Sequence, residues 1–320
     1  IYKKMNKIIE KFGKSFSKII LPLLYKLFFA FKINKRAANY FEEKSYFSNN
    51  KQNFEELIKF LLEDKKIIAL DVGAQGGFNS DEFFSKKYNN FFEPVLVEPI
   101  QDEAEKLKRK NKYVINNGLW SSKTQKKIYV LENRLGSSSM YEPDNNLFQL
   151  HNIKSENYKN YDVTSTIEIE CNTINQSLND LNIYKLDYLK IDTQGAELEI
   201  LKGMGNYKPL LIKLEAHIHS MYKNVPSWNE LLDYAYKLNY VVIDWKGIGS
   251  HATRVPAEMD MIFIPNFNNS EGIKLIKNNE NIFVCLMIIF GQIDLLKVIA
   301  NKNNFKNLNK INNLKDYYLN

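Results

Sequence analysis

The sequence predicts an α/β protein whose central part is a mostly parallel sheet with helices on both faces. Three observations predict it. Short apolar runs alternate with helix-period segments from about residue 53 to residue 266. The first apolar run closes on a glycine cluster, and several runs end directly in a carboxylate. With 320 residues, the chain is long enough for one large α/β domain plus extensions. Crossovers in such a sheet are right-handed, and its ligand binds beyond the carboxyl ends of the strands, near the switch in strand order.

The elements follow in order. Phe54 to Leu62 has helical spacing, and Ile67 to Val72 (IIALDV) reads as a buried strand. Asp81 to Tyr88 suits a helix capped by Asn79 or Ser80. A second strand runs to Glu98, a helix spans Ile100 to Lys110, and a third strand covers Tyr113 to Asn116. Ile128 to Leu131 and Ile167 to Cys171 alternate as added strands, and Thr173 to Leu181 is a short helix. Tyr188 to Ile191 is a strand followed by a helix over Ala196 to Lys202, and Leu210 to Glu215 is another strand. Ser227 to Leu238 carries an apolar stripe at helical spacing, and Val241 to Trp245 and Met261 to Ile264 close the series as strands.

Residues 1–52 form a basic, apolar lead-in and 267–320 a helical tail. The net charge of +7 is uneven: residues 1–36 hold ten Lys or Arg against Glu10, so the tip supplies +9. The last fifty residues add about +3, which leaves the centre near −5 and argues against nucleic acid as a partner. In residues 1–36, Ile8, Ile9, Phe12, Phe16, Ile19 and Ile20 recur at three- and four-residue spacings among the lysines. This basic amphipathic pattern fits peripheral contact with an anionic membrane surface, or a helix packed on the catalytic domain or a partner subunit. The run Asn281 to Ile293 is too short to span a bilayer and reads as a buried helix. The apolar tail segment Ile282 to Ile299 is either core or a contact in a homo-oligomer. Two separated cysteines, Cys171 and Cys285, suggest no metal site and a reducing compartment. Without a convincing secretory signal, the expected location is cytoplasmic, or peripheral at the inner face of the membrane.

Candidate chemistry sits at the strand ends. Asp71-Val72-Gly73-Ala74-Gln75-Gly76-Gly77 fits D-x-G-x-x-x-G and fails the dinucleotide pattern G-x-G-x-x-G, since Gln75 and Phe78 occupy its glycine positions. Such a loop either lets the backbone approach a ligand, with a following helix N-terminus to receive an anionic group, or serves as a plain strand-to-helix turn. Glu98, 21 residues after Gly77, is spaced to accept bonds from a ribose or is a surface acid. Around Asp187 to Gly203, Lys190, Asp192 and Glu197 crowd a strand end and helix start. A buried Lys190 needs a partner, and Glu197 complements the helix dipole. The stretch Arg134 to Pro143 (RLGSSSMYEP) either lines a pocket through Ser137 to Ser139 or is a polar connector.

DVGAQGG, VEP and LKIDTQGAELEILKG, followed by LEAH and DMIF, resemble the FkbM-type methyltransferases, a branch of the class I S-adenosylmethionine-dependent enzymes. The resemblance covers about residues 65–266; Gln75 and Gln194 depart from the pattern, standing where many class I enzymes have glycine and many relatives glutamate. It implies a Rossmann-like class I sheet with an antiparallel last strand, and S-adenosyl-L-methionine as cofactor. Asp71, Gly73, Gln75 and Gly77 would then bound the methionine end, Glu98 the ribose, and Leu119 and Trp120 the adenine.

The resemblance also implies O-methylation of a hydroxyl on a sugar, such as one of a cell-surface glycan in polysaccharide biosynthesis, or on a natural product. A sulfonium methyl is already activated, so such an enzyme mainly aligns a nucleophile, and a base assists a sugar hydroxyl. Asp192, His217 and Glu215 rank in that order as catalytic candidates. Asp192 has a helix cap or Lys190 partner as its alternative, His217 an ordinary loop histidine, and Glu215 a structural partner of Lys190 or Lys213. An NAD-dependent or nucleotide-sugar enzyme on a similar sheet, and a non-catalytic binding module, are the competing readings.

Overall fold

The computed structural model describes residues 54–147, 150, 151, 153, 155–246 and 255–314. The amphipathic segment 1–36 and its membrane contact lie outside the described residues.

A seven-stranded sheet organises the molecule, in the order β3-β2-β1-β7-β8-β10-β9. Its strands are β1 (Ile67–Val72), β2 (Phe92–Val97), β3 (Tyr113–Ile115), β7 (Tyr188–Ile191), β8 (Leu211–His217), β9 (Tyr240–Lys246) and β10 (Glu258–Pro265). From β3 to β8 every pairing is parallel, and β10 runs antiparallel to both β8 and β9. The expected Rossmann-like sheet with its antiparallel last strand is therefore present. The two added strands pair with each other in a separate three-stranded sheet. In it β6 (Ser165–Asn172) lies between β4 (Gly118–Leu119) and β5 (Thr124–Val130).

Strand side chains alternate between faces, and each face has its own cover. One face joins Leu70, Val72, Val97, Leu189, Ile191 and Leu214 to residues of α3 (Ile174–Asp180), α4 (Glu197–Lys202) and α5 (Trp228–Lys237). Thr173 and Ser227 cap α3 and α5, and Ser227 and Glu230 form a capping box. The opposite face joins Ile67, Ala69, Tyr188, Leu211, Ile262 and Ile264 to α1 (Glu55–Leu62) and three tail helices. These are α7 (Glu280–Ile289), α8 (Ile293–Asn303) and α9 (Leu308–Asn312). α6 (Ser270–Asn278) leads into them, and α2 (Gln101–Lys108) connects β2 to β3. The run expected as a buried helix is thus α7, whose residues from Phe283 to Ile289 are all at or below 3% exposure. No described helix is long and apolar enough to cross a membrane.

One expected element does not form. No α-helix spans Asp81 to Tyr88; the segment holds turns and a 3₁₀ stretch, Lys86–Phe91. Asn79 and Glu82 adopt positive φ (52° and 54°), which a right-handed helix does not admit. The Asn79 side chain, instead of capping a helix, donates to the Phe84 carbonyl and Asn89 Oδ1 at 2.9 and 3.0 Å. The turns bring Phe78 and Phe84 against Phe92 and let Asp81 reach Lys213 on the sheet.

Candidate active site

The registers explain why distant residues converge. Val72 pairs with Val97 on one side and with Ile191 on the other. Gly73, Glu98 and Asp192 each follow one of these residues, so they leave the sheet side by side at its carboxyl edge. The Gly73 N–H donates to the Val97 carbonyl at 3.2 Å, and the Asp192 N–H to the Val72 carbonyl at 3.1 Å. Gly73 has φ +79°, and a methyl there would strike the Asp192 carbonyl oxygen. Glycine is required at this close approach.

The three residues line one cleft of about 660 Å³, part of it open to solvent. This is a common size for small-molecule sites. Gln75, Thr193 and Gln194 also line it, as do Leu119, Ile128 and the stretch Leu135, Gly136, Ser138, Ser139 and Met140. The serine-rich stretch is therefore a wall and not merely a connector. Ser139 ties it to the β7 tip: its hydroxyl donates to the Gln194 carbonyl at 2.7 Å.

Several sequence candidates lie off this wall. Asp71 is buried beneath it, with Oδ1 3.1 Å from Lys190 Nζ. Gly77 makes a turn bond back to Ala74, and a side chain there would meet only Leu107. Trp120 stands outside the lining: Lys126 Nζ lies 4.0 Å from its ring centroid and the Tyr141 ring 6.3 Å away. Glu215, outside the lining, meets the Gln194 amide, and His217, also outside it, stands edge-on to the Tyr222 ring. The anion-receiving helix N-terminus expected after the glycine loop is missing as well, since turns follow it.

Charge is concentrated at the β7 and β8 tips. Lys190 and Lys213 are register partners, and each is clamped by carboxylates. Lys190 meets Asp71 and, at 3.7 Å, Asp192; Lys213 meets Asp260 at 2.8 Å and Asp81 at 3.2 Å. Burial alone would discharge both lysines, but the carboxylates outweigh it and keep both amines protonated. The same cations act on Asp192. Burial pushes its carboxyl up, yet Lys190, Lys213 and the Gln194 amide hold it below the usual range. Glu215 goes the other way, pushed well above the usual carboxylate range by burial and by the Asp192 charge. Gln194 spans the two, with Nε2 2.5 Å from Glu215 Oε2 and 3.4 Å from Asp192 Oδ1. Two adjacent carboxyl groups, one shifted down and one shifted up, are thus joined by a single amide.

Glu98 is 5% exposed and accepts the Ile100 N–H at 2.9 Å. Burial pushes its carboxyl up to about 7. Glu197 does not point at the cleft. It accepts the N–H groups of Thr193 (2.8 Å) and Gly195 (2.9 Å) and so clamps the turn that carries Asp192 and Gln194. Asp192 itself caps no helix. Of the residues the sequence left unremarked, Tyr222 matters most: its hydroxyl lies 2.7 Å from the Ser137 carbonyl and 3.0 Å from Gln194 Oε1. A tyrosine after a loop carries no sequence signal of that role. Lys213 did carry one, as a cation inside an apolar strand like Lys190.

Among the described residues, no group of three or more His, Cys, Asp or Glu could hold a metal ion. No curated protein matches the chain. A family model for the methyltransferase FkbM domain matches residues 71–242, which include every residue of the cleft wall. With more than half of its length in that match, the chain belongs to the FkbM methyltransferase family.

Proposed function

We propose that the chain is an S-adenosylmethionine-dependent O-methyltransferase acting on a sugar hydroxyl of a cell-surface glycan or on a natural-product hydroxyl. The observation that carries this reading is the convergence of Gly73, Glu98 and Asp192 on one cleft. The residues present fit the cofactor. Gly73 exposes backbone at a point where no side chain could stand. Glu98 offers a carboxylate at the end of the second strand, where ribose hydroxyls would donate. Leu119 and Ile128 offer an apolar wall for a base.

When bound, S-adenosylmethionine supplies a methyl group activated by its sulfonium sulfur. The chain's own residues would do the rest. Asp192, held below the usual carboxylate range by Lys190 and Lys213, would accept the proton of an acceptor hydroxyl placed in the cleft. Glu215 is not part of the cleft lining and Asp192 is, which favours Asp192 over it. Gln194 fixes the Asp192 carboxylate, and Glu197 fixes the turn beneath both.

Titration calorimetry with S-adenosylmethionine and with NAD tests the cofactor. Binding of the first and not the second is expected, and the reverse overturns the reading. Labelled-methyl transfer over cell-envelope glycan extracts then tests the acceptor class. Label recovered in base-stable ethers is expected, whereas label only in esters or amines overturns O-methylation of a hydroxyl.

A further inference from the structure

Gln194 stands in the cleft wall, and the two ends of its amide are alike in shape but opposite in hydrogen bonding. Both ends are engaged. Nε2 faces Glu215 Oε2 at 2.5 Å and Asp192 Oδ1 at 3.4 Å, while Oε1 faces the Tyr222 hydroxyl at 3.0 Å. The carboxyl groups favour this orientation from the nitrogen end, and the tyrosine proton favours it from the oxygen end. The backbone below does not fix the side chain unaided. Gln194 has φ +59° and Gly195 has φ +119°. A residue with a side chain keeps a left-handed conformation only where its surroundings hold it there.

Tyr222 is itself firmly held. It is 4% exposed, and its segment is tied by backbone bonds to the stretch that follows the serine-rich wall. The Asp144 N–H donates to the Met221 carbonyl at 2.7 Å, and the Lys223 N–H to the Glu142 carbonyl at 2.8 Å. The one proton of the Tyr222 hydroxyl faces two acceptors, the Ser137 carbonyl at 2.7 Å and Gln194 Oε1. The same segments close on the turn that carries Gln194, since a side chain at Gly195 would strike Val225 and Tyr141. We propose that Tyr222 is a positioning residue for methyl transfer: its hydroxyl directs the Gln194 amide so that the N–H2 end stays on the Asp192 carboxylate. This rests on the methyl-transfer reading above.

Positioning and packing make different demands on this ring. If the ring only filled space, phenylalanine would serve in its place. If it positions the amide, loss of the oxygen leaves Oε1 without its donor, and the amide is free to turn. The size of the effect follows from the groups around Asp192. Burial pushes its carboxyl up, and Lys190, Lys213 and then the Gln194 amide bring it down. Only the last of these depends on Tyr222. Removing the hydroxyl therefore disturbs the base without removing it, and the loss should be smaller than that of Asp192→Asn.

The test uses the full chain. Tyr222→Phe, Gln194→Leu and the double variant are assayed for labelled-methyl transfer to cell-envelope glycan extracts, with S-adenosylmethionine binding followed by calorimetry. Tyr222→Phe should lower turnover about tenfold, the weight of one hydrogen bond, with cofactor affinity within about twofold. Gln194→Leu should lose at least as much. Adding Tyr222→Phe to it should cost less than about twofold more, because residues acting through one another are not additive. In parallel, chain labelled with ¹⁵N at glutamine is followed by NMR without cofactor. The Gln194 side-chain signal, identified by its loss in Gln194→Leu, should exchange with water about tenfold more slowly than that of the exposed Gln125. Tyr222→Phe should remove that protection. Native turnover in Tyr222→Phe, equal losses in both backgrounds, or a freely exchanging Gln194 amide in the unaltered chain overturns the proposal. The exchange measurement decides the matter even should Tyr222→Phe fail to fold. Absence of cofactor binding by the unaltered chain instead overturns the methyltransferase reading itself.

Discussion

At the end of β1 the chain leaves the sheet as bare backbone. Gly73 passes against the Asp192 carbonyl, and turns, not a helix, follow. At the end of β7 the chain leaves through side chains: Asp192 held by Lys190, Gln194 held by three partners, and Glu197 clamping the turn into α4. The two tips touch and line the same cleft. The first is shaped by what is absent from it, and the second by a dense set of charges and amides. A cofactor whose reactive group is already activated needs a fitted surface. A nucleophile that must lose a proton needs a tuned carboxylate. On the methyl-transfer reading proposed above, the contrast between the tips follows that division.

Four substitutions break or sharpen the contrast. The largest effect is expected from Lys190→Met, which strands Asp71 in the core without its cation. Removing one partner of a buried pair costs about 3–5 kcal/mol, to be read by urea unfolding. A loss below about 1 kcal/mol would mean that the charges at the β7 tip are not structural. Next is Asp192→Asn, expected to lower turnover at least a hundredfold while cofactor affinity changes less than twofold, since loss of a general base costs about 10²–10⁴. Unchanged turnover would remove the base from this tip.

Gly73→Ala tests the other tip. The methyl has nowhere to go, so cofactor affinity should fall at least tenfold, and thermal unfolding should shift to lower temperature. Native affinity would show that close backbone approach does not shape this side. The smallest effect is a pH dependence. Glu98 in the free protein has its carboxyl raised to about 7, and ribose hydroxyls need the ionised form as acceptor. Affinity should therefore be full above pH 7 and decline, by about tenfold at most, as pH falls through 7 toward 6. Glu98→Gln should abolish that slope; an unaltered slope in the variant assigns it elsewhere. Sign follows for folding too. A carboxyl raised on folding stabilises the free protein below its ordinary pKa, and that contribution is lost as pH rises through 7.

Much of this arrangement was legible in the chain. The strands of the main sheet and the glycine turn were readable because apolar runs bounded by glycines and acids are local signals. Gly73, Glu98 and Asp192 could be read as a set because each directly follows a strand, and Gln75 because it lies in the glycine loop after Gly73. Position after a strand does not tell which face a residue serves. Trp120, just after β4, falls beyond the wall for that reason, and Asp71, inside β1, falls beneath it. The missing helix after β1 failed for a different cause: Asn79 looks like a helix cap, and only the fold reveals that its amide is committed to Phe84 and Asn89. Tyr222 reaches Gln194, a wall residue, through long-range packing, which leaves no periodicity to read.

The tail helices bear on how the molecule comes into being. The face carrying Ile67 and Ala69 is closed by residues from Phe283 to Ile311, more than 200 positions later in the chain. During synthesis, a finished set of parallel strands would therefore present a greasy, half-made surface until residues 283–311 had emerged. Such late closure slows folding and invites association of nascent chains. A fragment cut to residues 54–265, without the tail helices, would carry that bare surface permanently and should be recovered as aggregate rather than as a small enzyme.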